Sequence, residues 1–362
     1  MDYKTLVEYY SRIESTTKRL EKTGFIAELL DKSDAESLSK VVLLLKGTVF
    51  PDWDERKLGV ASKLVLKALS TATGMTIDEI EKEWKKTGDL GNTAENLIGR
   101  KKQSTLFSAQ LTVAKVYDNL VKLATLEGQG TVNKKMQLIA EILTSAEPDE
   151  AKYIVRTVLG DLRVGASQGT LRDGIVLHYF KEESQCKDEK REKYQEKADI
   201  VQQAYDLTND FAKVVETLEE KGEEGLKALS LEIFKPVNPM LFPKAKDIED
   251  GFSVVDKPAF LEYKYDGFRV QIHKDGDDVK LFTRRLENVT AQFPDVVERV
   301  RKHITAKACV LDSEVLGTAE NGSFLPFQHI SQRIRRKYDI KDMAKKIPVV
   351  IVLFDVLKNG EK

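Results

Sequence analysis

Glu262-Tyr263-Lys264-Tyr265-Asp266-Gly267-Phe268-Arg269 is the stretch on which the reading turns. It lies between Phe260-Leu261 and Val270-Gln271-Ile272-His273, two runs that read as strands. Lys264 is therefore expected at the end of a strand, with a glycine turn directly after it, so that an amine sits at the lip of a sheet. At Gly267 no side chain would stand between the backbone and an approaching ligand. A free lysine amine has a pKa of about 10.4 and is a cation at neutral pH, a poor nucleophile until it loses its proton. Nearby positive charge and desolvation both lower that value, and Arg269 and a packed strand are the expected sources. A plainer reading stands beside this one: a surface lysine in a hairpin, paired with Glu262 or Asp266.

Downstream, Phe268, Val270 and Ile272 alternate with Arg269, Gln271 and His273, the pattern of a half-buried strand. Asp275-Gly276-Asp277 predicts a hairpin turn, and 279–283 the returning strand. A helix is expected over 293–302, with strands over 309–316 and 348–357. Asp312 and Glu314 are two residues apart on such a strand, which puts both carboxylates on one face. That pair suits a divalent cation shared with phosphates.

Upstream, the period changes. Leu6, Tyr10, Ile13, Thr17 and Leu20 recur at helical spacing. Ser33-Asp34-Ala35-Glu36 reads as a capping box ahead of Leu38, Val41, Val42 and Leu45, in a helix that Gly47 and Pro51 end. Thr76-Ile77-Asp78-Glu79 repeats the pattern before Ile80 and Trp84. Further helices are expected over 111–127, 134–145, 151–159, 171–179 and 190–218. Pro236, Pro239 and Pro243 stiffen a connector between the two patterns. The division is therefore an all-helical domain over 1–232, a proline-rich connector over 233–245 and an α+β domain over 246–362.

Two loops in the helical part could bind phosphate. Residues 160–170 carry three glycines and lead into a helix start, where free N–H groups favour anions. Arg163, Ser167, Thr170 and Arg172 would add donors. Residues 99–107 form a small basic patch with Lys101 and Lys102. Each loop also reads as an ordinary connector with capping residues.

Composition narrows the class without deciding it. The 362 residues carry a net charge of −1, and 32% of them are charged. Residues 241–362 hold 22 of the 58 basic and 19 of the 59 acidic side chains, so neither half is strongly basic. A nucleic-acid surface would have to come from local patches. Cys186 and Cys309 offer no metal-ligand spacing and no disulfide framework. No signal peptide and no membrane-length apolar run is present. The expected location is the cytoplasm, in association with the nucleoid.

Lys264-Tyr265-Asp266-Gly267-Phe268-Arg269 fits the K-x-D-G-x-R signature of the covalent nucleotidyltransferases. Three further motifs resemble that family's in the same order: Thr283-Arg284-Arg285-Leu286-Glu287-Asn288, Val310-Leu311-Asp312-Ser313-Glu314-Val315 and Leu353-Phe354-Asp355-Val356-Leu357. Gly88-Asp89-Leu90-Gly91, Leu162-Arg163-Val164-Gly165 and the segment from Phe234 to Leu241 resemble the all-helical DNA-binding domain of the archaeal and eukaryotic replicative ATP-dependent DNA ligases. Each motif alone is weak; four in order behind a matching helical domain are specific.

The resemblance implies a multidomain chain, with an all-α DNA-binding domain followed by an antiparallel-sheet nucleotidyltransferase, or adenylation, domain that is incomplete at its C-terminus. It implies ATP and Mg²⁺ as cofactors and Lys264 as the residue that takes AMP. Glu262 would accept from the adenine amino group. Arg269 and Arg284 would hold ribose and phosphate, Glu314 the ribose or metal, and Phe354 the base. Nicked duplex DNA would be gripped through phosphates, in replication, repair, recombination and cell division, by a monomer. Gln103, Leu106 and Phe107 resemble a shortened sliding-clamp box with a single aromatic, and equally read as core. The family's second metal-binding motif, its lysine-rich motif and its oligonucleotide-binding barrel have no counterpart here, so these residues alone are not expected to seal nicks, and their self-adenylation stays an open question. Two other readings stay open: an RNA ligase or capping-type enzyme, and a non-catalytic module binding DNA or a clamp.

Overall fold

The computed structural model describes residues 1–100, 110–126, 128, 130–181, 188–239, 244–336 and 338–360, with the backbone alone for 188–191. The chain divides into two compact units, Met1–Tyr205 with Asp210–Leu229 and Asp206–Asn209 with Ser230–Lys362. Lys101, Lys102, Gln103, Leu106, Phe107 and Pro243 lie outside the described residues.

The first unit is built from α1 (Tyr3–Glu14), α2 (Arg19–Lys32), α3 (Ala35–Leu45), α4 (Ser62–Thr73), α5 (Ile77–Thr87), α6 (Leu90–Gly99), α7 (Val113–Thr125), α8 (Thr131–Ser145), α9 (Pro148–Val158), α10 (Gln168–Tyr179), α11 (Asp188–Thr208) and α12 (Phe211–Lys227). Their apolar faces close one core that includes Leu6, Tyr10, Ile13, Val41, Val65, Ile154 and Val214. The expected capping box at Thr76 and Glu79 is present in full. At α3 the cap is Asp34, which accepts from the Ser37 N–H, rather than Ser33.

Two expected long helices are each broken. The run from Leu6 to Leu20 splits after Glu14, and Leu20 is 85% exposed on α2. Ser15 Oγ donates to the Arg12 carbonyl and the Lys18 N–H donates to Thr16 Oγ1. Such local side-chain bonds offer the backbone an alternative to the helix ladder. The stretch 190–218 breaks at Asn209, which adopts φ +49°, and Asp210 caps α12. No described helix is long and apolar enough to cross a membrane.

The second unit holds α13 (Ile248–Val255), β1 (Phe268–Asp275), β2 (Asp278–Thr283), α14 (Pro294–His303), β3 (Ala308–Thr318), β4 (Phe324–Leu325), α15 (Phe327–Ile334), α16 (Ile340–Lys346) and β5 (Val349–Asn359). The sheet is antiparallel. β1 pairs β2 on one side and β3 on the other, and β5 and β4 also pair β3. Asp275 faces Asp278 across the hairpin, and Gly276 takes φ +57°, as the expected turn requires.

The two sheet faces differ in chemistry. Phe268, Val270, Ile272, Leu281, Leu311 and Val315 pack with Phe293, Val296 and Val300 of the α14 region and with Ile330 of α15. The opposite face carries Arg269, Gln271, His273, Asp312 and Glu314, as strand alternation dictates. One end of that polar face is covered by the connector. Gln271 Nε2 donates to the Val237 carbonyl at 2.5 Å and the Val237 N–H returns to Gln271 Oε1 at 3.0 Å. The Phe234 N–H donates to His273 Nδ1 at 3.0 Å, and Lys280 lies over the Phe234 ring. The connector thus satisfies polar groups whose burial would otherwise cost about 1–3 kcal/mol each. The other end of the face stays open.

His273 is fully buried and accepts through Nδ1, so the proton sits on Nε2, which has no partner among the described residues. Burial, with a smaller push from Lys280, lowers its pKa from 6.5 to about 4. The unfolded chain takes up this proton first, near pH 6.5. Its stabilising contribution is therefore complete above pH 6.5 and is lost as pH falls toward 4, by about 3 kcal/mol in all. Urea unfolding at a series of pH values should show this loss in the wild type. In His273→Gln, which keeps an acceptor for Phe234, the same interval should cost less; equal acid sensitivity in both would contradict the account.

Candidate active site

The open end of the polar face is the floor of a cleft of about 1920 Å³. Glu262, Lys264, Arg269, Arg284, Glu314 and Phe354 all line it. Residues up to 92 positions apart in sequence, from Glu262 to Phe354, are brought to one place by the pairing of β1, β3 and β5.

Arg269 faces Glu314 across β1 and β3, and its neighbour Gln271 faces Asp312. Arg269 Nε reaches both Asp312 oxygens at 3.0 Å, and Nη2 closes the fork on Oδ2. Asp312 is almost fully buried, so both its oxygens are committed to this pair. The guanidinium carbon lies 5.7 Å from the centre of the Phe354 ring. Phe354 sits where the β3–β5 register shifts between Asp312 and Ser313, and its ring is left exposed beside Arg269.

Glu314 opens to the cleft beside the Gly267 backbone. Burial raises its carboxyl above the usual range, and the Gly267 N–H, Lys264 and Arg269 oppose that rise. The turn after β2 is closed by the Leu286 N–H to the Thr283 carbonyl and the Thr283 N–H to the Glu287 carbonyl. Leu286 is buried at φ +63°, and the turn thereby leaves Arg284 and Arg285 exposed on the cleft wall. On another wall, Phe327, Ser331, Ile334 and Arg335 share one face of α15 and its C-cap. Asp266 Oδ2 accepts from the Phe327 N–H at 3.3 Å, which ties the lysine loop to the start of that helix.

Three expectations are corrected here. Phe260-Leu261 forms no strand: both side chains are exposed, 99% and 89%, and no strand pairs with them among the described residues. Lys264 is accordingly exposed on an extended segment ahead of β1, not enclosed by a packed strand. Arg269 does not add uncompensated charge beside it, because Asp312 neutralises the guanidinium. Gly267 lines the cleft, as expected, and its missing side chain also serves the sheet. A Cβ there would stand 2.4 Å from the Val315 carbonyl oxygen and 2.8 Å from Leu316 Cδ2, so glycine serves the approach of β1 to β3.

No group of three or more potential ligands surrounds a metal position among the described residues. Asp312 shares a face with Glu314 but is spent on Arg269, so the pair does not form a joint carboxylate site. Glu314 alone remains open to the cleft, which suits Mg²⁺ held by one carboxylate together with phosphate oxygens. Sequence reasoning missed Asn288, Gln292, Ser331 and Arg335 as lining residues. The basic run at 333–336 was the available signal for the last of these.

In the first unit, the loop over 160–170 is organised mainly by its own contacts. Ser167 caps α10 by accepting from the Thr170 N–H, and the two hydroxyls meet at 2.8 Å. Thr170 is buried, and Arg172 is held by Asp173 and Gln202. These three residues serve the helix start rather than standing free as donors. Arg163 takes φ +60° and is half exposed, paired with Asp161 at 2.6 Å and Asp89 at 3.0 Å.

Comparison with known proteins supplies the wider setting. A family model described as DNA ligase N terminus matches residues 2–176, and one described as ATP dependent DNA ligase domain matches residues 239–362. A curated relative named DNA ligase from Thermococcus fumicolans is 43% identical over 99% of this chain and 61% of its own length. DNA ligases from Methanothermobacter thermautotrophicus and Nanoarchaeum equitans are 44% and 40% identical, again over 99% of this chain and 61% and 60% of theirs. The chain thus spans about three-fifths of the length of the relatives it matches.

The close approach at Gly267 makes a direct prediction. In Gly267→Ala the methyl group meets backbone that cannot rotate away, so β1 and β3 must separate at the cleft. The expected loss is about 2 kcal/mol, the cost of overpacking a well-fitted site. Urea unfolding of the second unit checks it, and a midpoint equal to that of the wild type would contradict the packing described.

Proposed function

Because this chain belongs to the ATP-dependent DNA ligase family, we propose that its cleft binds ATP and that Lys264 carries AMP to the 5′-phosphate at a nick in duplex DNA. The convergence of all six expected nucleotide residues on one cleft is the observation that carries this reading. The unprotonated Lys264 Nζ attacks the α-phosphorus. A P–N bond forms, the bond to the bridging oxygen breaks, and pyrophosphate leaves with that electron pair while the amine proton passes to solvent. An oxygen of the DNA 5′-phosphate then displaces the lysine, which regains a proton. Finally the 3′-hydroxyl attacks the 5′-phosphorus, the strand closes and AMP leaves.

Each side chain has a part that its position supports. Phe354 offers an exposed ring face to the flat base. Glu262 is exposed at the rim, free to accept from the adenine amino group. Arg269, locked to Asp312, acts as a fixed platform beside Phe354 and the ribose. Arg284 faces phosphate. Bound Mg²⁺ would offset charge on the phosphates, with Glu314 as its protein ligand.

Nicked DNA would be held through its phosphates, which position without reading sequence. Arg163 at the 160–170 loop is the residue proposed to contribute, exchanging its pairs with Asp161 and Asp89 for a phosphate. A sliding clamp is a second proposed partner, on the sequence of Gln103, Leu106 and Phe107 alone.

A pulse and chase tests the reaction. The chain is incubated with Mg²⁺ and ATP labelled at the α-phosphate, then offered a 5′-phosphorylated nicked DNA duplex or the same duplex with RNA at the break. Label should appear on the protein and move to the DNA 5′-end, and Lys264→Ala should take none. Label that moves only to the RNA end, or that persists undiminished in Lys264→Ala, would overturn the proposal.

A further inference from the structure

The arginines of the second unit fall into two groups. Arg269 pairs with Asp312, Arg333 with Asp295 and Arg336 with Asp339. Arg299 donates to the Val349 carbonyl and Arg301 to the Asp277 carbonyl. Arg284, Arg285 and Arg335 have no carboxylate or carbonyl partner among the described residues, and these three all line the cleft.

That sorting is not imposed by a shortage of acids. Glu262, Asp266, Glu287 and Glu314 line the same cleft and none forms an ion pair with these arginines. Asp266 is occupied by the Phe327 N–H. The supporting structure holds the free guanidiniums in place from two sides. Arg284 and Arg285 project from the turn that the buried Leu286 anchors at positive φ. Arg335 caps α15, whose start is fixed by Asp266 and whose other face buries Ile330 and Arg333. Guanidinium presents five donors in a rigid fork that matches phosphate oxygens, so arginine is the residue for this work.

We propose that Arg285 and Arg335, with Arg284, form an oxyanion-binding wall of the cleft that takes phosphate oxygens of the bound substrate. Arg269 has its Nε–Nη2 edge taken by Asp312, which leaves Nη1 alone for a ligand and makes it the lesser contributor. The assignment rests on the reading of the cleft as a nucleotide site, and it adds the residues that hold the charged part of the ligand. The phosphates belong either to the triphosphate tail of the nucleotide or to the DNA strand at the nick.

Calorimetric titration of the full chain separates these sources. Inorganic tripolyphosphate reports the tail without the base, adenosine reports the base without the tail, and a 5′-phosphorylated nicked duplex reports the strand. Loss of one charge-assisted contact should weaken binding about tenfold. If the tail is the source, Arg285→Ala and Arg335→Ala each weaken tripolyphosphate by that factor and leave adenosine unchanged. If the strand is the source, tripolyphosphate is unchanged, duplex affinity falls, and its logarithmic salt slope drops by about 0.9 per lost contact. Arg335→Lys, which keeps the charge and the fold, should restore part of either effect. Unchanged affinity for both tripolyphosphate and duplex in the two alanine variants overturns the proposal. Phe354→Ala serves as a separate gauge: if it leaves adenosine binding intact, the base-binding reading fails, whatever the arginines do.

Discussion

The antiparallel pairing of β1 with β3 is the constraint on which the cleft depends. It sets Arg269 opposite Glu314 and Gln271 opposite Asp312, so that the diagonal Arg269–Asp312 fork can close across the strands. Asp312 is buried, and a buried carboxylate without a partner is costly enough to unfold its surroundings. Withdrawing the guanidinium would leave that charge uncompensated, so the pair holds the floor of the cleft together. The same pairing admits Gly267 against the Val315 carbonyl. Lys264 is only three residues earlier, so its reach is set by a backbone that is itself pinned.

The polar face of this sheet is divided by the connector. Where residues 234–237 cross it, Gln271 and His273 are buried and paired with backbone. Where the connector stops, the same row of alternate residues opens to solvent and lines the cleft. One alternation of side chains along β1 and β3 thus yields both a docked connector and the open floor of the cleft. Charge in the cleft follows similar logic. The arginine that must be rigid is neutralised by Asp312, and those that face the opening are left uncommitted.

Much of this was legible in the sequence, for identifiable reasons. Strand alternation from Phe268 to His273 gave the two faces, and Asp275-Gly276-Asp277 gave the hairpin. Thr76 and Glu79 gave a helix start because both halves of the capping box are local. What failed was whatever depended on a partner that the local pattern does not reveal. Phe260-Leu261 has strand composition, but a strand needs a neighbour to bond with, and none pairs there among the described residues. Thr170 and Arg172 read as free donors, yet each is satisfied within its own helix start or by Gln202. Arg335 went unnoticed because nothing in the local pattern separates it from Arg333, which is buried against Asp295 while Arg335 faces the cleft.

The central claim is that one exposed amine on this floor becomes a covalent carrier of adenylate. Peptide mapping by mass spectrometry after incubation with ATP and Mg²⁺ tests it most directly. The account predicts a single AMP adduct on the peptide containing Lys264, with a P–N bond that is cleaved by acid and survives alkali. An adduct on any other residue, or one with the acid stability of an ester, would contradict it.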